Sequence, residues 1–432
     1  MREAPWLYNL VSLLGLMAIC LLAWISGRER RRVRLRPVVW GLALQLVLGG
    51  LVFALPAGGQ GLLWLSQAVV KLLGFARAGI EFLFGPLAIG PGQPGSLGFI
   101  FALQALPTVV FFMALTALLY QAGLLQRLVG LFGRLFVRTL GASGAESLGA
   151  ASSIFLGVES AGMVRPYLAG MTRSELFTLL TAAMSTVASS TLGIYVLTLK
   201  DVFPNIAGHL ISASIISAPA AVVVSKLMEP ETGEPLTAGR AVDPEMGRHG
   251  GYLEAIIAGS QDGVKLVVGI AGLLLSFLAL VALGEAVVGW ICGLVGLDGW
   301  GLTRILGWLA WPLAVLMGVP PADAAQVGAL MGQRLLVTEI PTYNHLAQML
   351  DAGAIIYARS ALVASYALCG FTHIGAVAIF VGGFGALAPS RLGDLSRLGL
   401  KALWSATLAT VMTGCVAGLY AQGGASLLGQ GR

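Results

Sequence analysis

The sequence predicts an all-α polytopic membrane protein with eight transmembrane helices, two re-entrant hairpins forming inverted repeats, and interfacial helices. Three observations carry this expectation. Of 432 residues, 57% are hydrophobic and only 11% charged, where a soluble domain carries roughly a quarter charged residues. Apolar runs of the ~20 residues needed to cross a hydrocarbon core of ~30 Å recur along the whole chain. Two further apolar segments are interrupted by glycine, proline and carboxylates, and each is followed by a pair of spans. Only short polar loops separate these runs, so the chain reads as one continuous bundle.

The spans lie near 6–26, 38–57, 98–120, 173–198, 207–228, 263–294, 358–386 and 395–421. The first is not a signal peptide, because its positive run, Arg28 to Arg36, follows the apolar stretch instead of preceding it. That run sets the N-terminus outside and puts most of the 26 basic residues on the inner side. The net charge of +6 is therefore a topology signal carried by loops, and no nucleic-acid partner is implied. Residues 62–84, with Lys71, Arg77 and Glu81, and residues 123–138, with Arg127 and Arg134, mix charge into apolar runs and suit helices lying in the interface. The stretch from Glu229 to His249 is the longest hydrophilic loop, a solvated cytoplasmic linker. The expected organisation is an N-terminal part (1–97), a core (98–421) and, within it, a cytoplasmic loop (229–262). Cys20, Cys292, Cys369 and Cys415 have no ligand spacing, so neither a disulfide nor a metal site is expected. His209, His249 and His345 fall near span or loop boundaries, where solvent is the expected partner.

The two broken segments are the informative ones. Residues 146–169 read ESLGAASSIFLGVESAGMVRPYLA and residues 321–345 read PADAAQVGALMGQRLLVTEIPTYNH. Each fits a hairpin whose irregular tip must face protein or water, since lipid cannot satisfy free backbone groups. Hairpin, span, span occurs twice, and the two units enter the membrane from opposite sides, the arrangement of inverted-repeat transporters. Glu159 and Glu339 sit at the tips, where an ionised carboxylate costs ~2.5–3.5 kcal/mol on the insertion scale. Ser152, Ser153 and Ser160 flank the first tip; Gln333, Thr338, Thr342 and Asn344 flank the second. The spans that follow also break: STVASSTLG holds Ser185, Thr186, Ser189, Ser190 and Thr191, and CGFTHIG holds Gly370, Phe371, Thr372, His373 and Gly375. Any one of these hydroxyls equally suits packing between helices, and His373 suits a ligand contact, a proton carrier or a packed hydrogen bond. No HExxH occurs and no Ser or Cys sits beside a His at nucleophile spacing, so an enzyme is not expected.

From Gly98 to Ala421 the chain resembles the concentrative nucleoside transporters. The resemblance rests on LPTVVFFMALTALLYQAGLLQ, ESLGAASSIFLG, MTRSELFTLLTAAMSTVASSTLG, HLISASIISAP followed by SKLMEPET, GWLAWPLAVLMGVP, GQRLLVTE, and ALCGF followed by GGFGALAPSRLGDLSRLGLKA. It implies a homotrimer in the cell inner membrane, one transport path per protomer, and no cofactor beyond a coupling ion. It also implies that Glu339 binds ribose hydroxyls and that Phe371 contacts the nucleoside. His373 and Ala376 stand where the family has Asn and Ser. At the first tip the family reads Gly, Gln, Ser or Thr, Glu, whereas this chain reads Gly157, Val158, Glu159, Ser160. Ser153 replaces the Asn of sodium-coupled members, as in proton-coupled bacterial ones, while Thr186 and the carbonyls of Leu156 and Val187 remain at the sodium-like position. The implied function is secondary active import of a nucleoside or close analogue, driven by the proton gradient. A sodium-coupled symporter and a non-transporting sensor or gate protein of the same fold are the alternatives.

Overall fold

The computed structural model describes residues 1–90, 94–243, 250–297, 299–422 and 428–429. Among them every regular element is a helix. The N-terminal part holds α1 (Leu7–Ile25), α2 (Leu35–Phe53) and α3 (Pro56–Phe84); a short α4 (Phe101–Gln104) turns into α5 (Thr108–Gln121), and α6 (Leu124–Leu140) follows. The first hairpin segment is α7 (Gly144–Ser152), α8 (Ser160–Met163) and α9 (Arg165–Leu168). Then come α10 (Arg173–Ser185), α11 (Ser189–Leu199), α12 (Ile206–Met228), α13 (Tyr252–Leu294) and α14 (Leu302–Leu316). The second hairpin segment is α15 (Pro321–Leu336) and α16 (Glu339–Asp351), followed by α17 (Ala358–Leu368), α18 (Ile374–Leu387) and α19 (Leu392–Tyr420).

Seven stretches among the described residues are long and apolar enough to cross a membrane: Leu7–Ile25, Leu35–Phe53, Phe101–Gln121, Arg173–Leu199, Ile206–Met228, Tyr252–Leu294 and Pro389–Tyr420. The run expected at 263–294 begins earlier, at Tyr252, as part of a 43-residue helix. The run expected at 358–386 is two helices, α17 and α18, each too short to cross alone. Of the linker from Glu229 to His249, residues 244–249 lie outside the described residues, and His249 with them.

The polar sequence punctuation becomes local structure in a direct way. Capping boxes open α7 and α10: Ser143 accepts from the N–H of Glu146 and Thr172 from that of Glu175, and each Glu side chain returns the bond. Where α10 ends, β-branched Thr186 and Val187 follow Ser185, residues that lose side-chain freedom or compete for backbone in a helix, and Thr186 is extended at φ −117°, ψ 162°. The break between α17 and α18 turns on Gly370 at φ +132°, a region other residues avoid.

The elements sort into a core and a wall. Of the apolar window in Arg173–Leu199, 94% is buried, against 6% for α13. α13 packs on α5 and α14 and on little else, and α5 touches the core through α11. Inside the core the two repeats mirror each other: α7 packs on α10 as α15 packs on α17, α8 meets α18 as α16 meets α11, and α12 and α19 cross at the centre. Each hairpin thus leans on its own repeat's first half-helix and on the other repeat's second half-helix. The hairpin roots are pinned by buried acids. Glu146 Oε1 lies 2.6 Å from Lys226 Nζ, and Asp323 accepts from the N–H groups of Ile356 at 3.0 Å and Tyr357 at 2.9 Å.

His209 corrects the expectation of a solvent partner. It is buried, its Nδ1 lies 3.1 Å from Tyr366 Oη, and its ring stacks on Phe53. Apolar α12 carries it inward, and burial is affordable because the ring nitrogen is hydrogen-bonded.

Candidate functional site

Four interruptions of helix meet at one place. The tips after α7 and α15 and the breaks after α10 and α17 together surround one cavity. Gly157, Val158 and Glu159 come from the first tip and Thr338, Glu339 and Ile340 from the second. Ala188 and Ser190 come from the first break, and Phe371, His373 and Ala376 from the second. Leu266 and Ile270 of α13 close the cavity on the wall side. Gly370 lets the breaks approach back to back: a Cβ there would meet the backbone carbon and oxygen of Ser185 at 2.9 Å.

Glu339 is the first residue of α16 and is 3% exposed. Tyr195 Oη donates to its Oε1 at 2.5 Å. Its Oε2 makes no hydrogen bond, and the Oγ1 of neighbouring Thr338 makes none either. Buried polar atoms are nearly always paired, so two unpaired acceptors at one cavity wall are an invitation to a ligand that brings hydroxyl or amine hydrogens. His373 Nε2 lies 3.4 Å from Oε2. The other ring nitrogen of His373, Nδ1, caps α18 by accepting from the N–H of Ala376 at 3.1 Å. That bond assigns the neutral tautomer with the proton on Nε2, facing Glu339. Phe371 presents a ring to the same cavity and packs at 6.0 Å on Phe380.

Glu159 stands at the junction of this cavity with a second one. The second is lined by Thr116, Tyr120, Leu156, Ser189 and Asp262, and it shares Gly157, Glu159 and Ser190 with the first. Both cavities lie between the wall helices and the repeat core, the seam along which core and wall would slide. Val158 packs into the space left by Gly383 of α18, whose added Cβ would meet Val158 Cγ2 at 2.2 Å. An apolar side chain is therefore what the first tip needs there.

Other expected site residues are placed differently. Gln333 does not line the cavity; its Oε1 lies 2.9 Å from His345 Nδ1 across the second hairpin. His345 therefore has a protein partner where solvent was expected. Thr191 is buried with its hydroxyl on Ala188 O at 3.1 Å and is not in the cavity wall. Ser160 is buried with an unpaired Oγ. At the sodium-like position the hydroxyls of Ser153 and Thr186 donate to Ala150 O at 2.9 Å and Ala182 O at 3.0 Å. Val187 N–H is held by Ser214 Oγ at 3.0 Å. The oxygens there are all neutral, with no carboxylate among them. Among the described residues no group of three or more His, Cys, Asp or Glu could hold a metal.

Tyr195 was not singled out in the sequence, and it is the direct partner of Glu339. Only its place one turn after the hydroxyl run marks it, since a tyrosine deep in a membrane core needs an acceptor.

Comparison with known proteins gives the following. The description "Na+ dependent nucleoside transporter N-terminus" matches residues 14–87, "Nucleoside recognition" matches 102–202, and "Na+ dependent nucleoside transporter C-terminus" matches 209–418. The uncharacterized transporter YutK of Bacillus subtilis is 37% identical over 94% of this chain and 98% of its own length. Sodium/nucleoside cotransporter 1 of Rattus norvegicus is 34% identical over 95% of this chain and 64% of its own length. The solved structure of CNTnw in an inward-facing substrate-bound state is 33% identical, with a TM-score of 0.86 over 96% of this chain and 98% of that one.

Proposed function

The chain belongs to the concentrative nucleoside transporter family, and from that premise we propose that it is a proton-driven symporter importing a nucleoside or close analogue across the cell inner membrane. The observation that carries the substrate side is the pair of unpaired acceptors, Glu339 Oε2 and Thr338 Oγ1, in the cavity wall beside Phe371. Vicinal ribose hydroxyls donate to the Glu339 carboxylate, whose far oxygen is held still by Tyr195. The base lies against Phe371, with Ala376 leaving room where a larger residue would not. His373 Nε2–H faces the second carboxylate oxygen at 3.4 Å across the same wall. Glu159 and Val158 face the base end with Ser160 buried behind them, and Gln333 and Thr191 support the hairpin and the break from behind.

Eight crossings follow when α17 and α18 count as one broken span, and the two hairpins then enter the membrane from opposite sides without crossing it. The core of two repeats moves against the wall of α5 and α13, opening the substrate cavity first to one side and then to the other. The protein assembles as a homotrimer with one path per protomer.

Coupling to protons is supported by two features. Ser153 is shorter than a carboxamide, which lengthens or removes one contact to a hard cation at that position. Glu159 touches both cavities, so one carboxylate meets the substrate space and the second vestibule without moving far. Accumulation of radiolabelled uridine and adenosine in cells that lack their own carriers tests the proposal. No uptake of any nucleoside by a correctly inserted protein would end it.

A further inference from the structure

Arg334 lies in the last turn of α15 and is the largest fully buried side chain, 1% exposed. Its Nη1 donates to Ala367 O and its Nη2 to Thr410 Oγ1 at 3.4 Å, while Nε has no partner. Among the described residues no carboxylate lies within 4.0 Å of it. A guanidinium buried without a hydrogen-bonded carboxylate is costly, so its place calls for a reason.

The repeat supplies one. Ala367 is the penultimate residue of α17, and the last carbonyls of a helix have no partner within it and carry the negative end of its dipole. The counterpart in the first repeat is the end of α10, which packs on α7. There Ser217 of α12 donates to Ser185 O at 2.6 Å, as Thr410 of α19 stands beside Arg334. In the first repeat the half-helix end is met by that neutral hydroxyl. In the second the same negative end is met by a cation on a tether.

The geometry points to Arg334 as a tethered cation that caps the negative C-terminal end of α17. It fixes the break from Cys369 to His373, and with it Phe371 and His373, in every state of the cycle. Arg334 is a positioning residue: it acts through Ala367 O and does not line the substrate cavity. This inference rests on the proposed transport function for its uptake arm only.

The test uses full-length protein in proteoliposomes, with Arg334→Lys, Arg334→Met and Arg334→Ala. A charged hydrogen bond is worth ~1.5–3 kcal/mol, or roughly 10- to 150-fold. Uridine transport by Arg334→Met should fall by at least about tenfold, mostly in apparent affinity, and Arg334→Lys should recover much of it. Guanidinium chloride at about 20 mM should restore Arg334→Ala but not Arg334→Met, whose side chain fills the space. Uptake by Arg334→Met within about twofold of the parent, or a lysine variant as inactive as the methionine one together with no guanidinium rescue, overturns the inference. A readout independent of transport is the melting of detergent-purified Arg334→Ala. Guanidinium at low millimolar concentration should raise its melting temperature and not that of the parent, and an equal response in both overturns the assignment. If the parent itself carries no uridine, the transport proposal fails while the melting comparison still decides the role of Arg334.

Discussion

Replacing Glu339 by glutamine changes one atom and one charge at the most buried polar point of the candidate site. The glutamine has a single acceptor oxygen, and Tyr195 Oη, which reaches Oε1 at 2.5 Å, claims it. The new NH2 then stands where Oε2 was, 3.4 Å from His373 Nε2, a donor facing a donor. A charged acceptor holds a hydroxyl by ~1.5–3 kcal/mol and a neutral one by ~0.5–1.5 kcal/mol. Two ribose hydroxyls losing the difference cost about 2–3 kcal/mol, which is a roughly 30- to 160-fold loss of affinity. Initial rates of uridine uptake in proteoliposomes, read below saturation, should fall by that factor, and calorimetry should show the matching loss of binding. Size-exclusion profiles should be unchanged, because the substitution is nearly isosteric. Uptake within about threefold of the parent would remove Glu339 from the substrate site, since no rearrangement lets one amide oxygen serve Tyr195 and two hydroxyls at once.

Four further outcomes follow. His373→Asn keeps the cap on α18, because asparagine is a strong N-cap, and it should keep or improve uridine uptake; a loss beyond about tenfold would give the ring Nε2–H a role that a carboxamide cannot fill. In the same assay 2′,3′-dideoxy analogues should compete poorly against the parent protein, since the unpaired acceptors would stay unpaired. Uptake should rise as external pH falls, collapse with a protonophore and ignore exchange of sodium for choline, and Glu159→Gln should abolish uphill accumulation; strict sodium dependence with no response to the protonophore would instead place the ion at Ser153 and Thr186. Gly370→Ala must place a Cβ 2.9 Å from the Ser185 backbone at φ +132°. It should destabilise by at least ~1–3 kcal/mol, seen as a lower melting temperature, and an unchanged melt would show that the two breaks are not tightly apposed.

Hydrophobicity and charge placement made the all-helical membrane fold legible, because lipid leaves the backbone few other ways to satisfy itself. The repeat was legible as well, since broken apolar segments leave glycine, proline and carboxylate scars that ordinary spans lack. Glu339, Glu159 and His373 stood out for the same reason, since an ionisable group inside an apolar segment is too costly to be scattered at random; Phe371 entered with the broken run around it. What the sequence could not give was which groups meet across the repeats. That Tyr195 reaches Glu339, that Gln333 turns to His345, that Thr191 turns back on its own helix and that His209 is buried under Phe53 all depend on how helices far apart in the chain are rotated against each other. One-dimensional periodicity fixes which face of a helix is apolar, but when nearly every face is apolar, as in α10 to α12, it no longer fixes rotation. Packing across the pseudo-symmetry axis does that, and only the folded chain contains it.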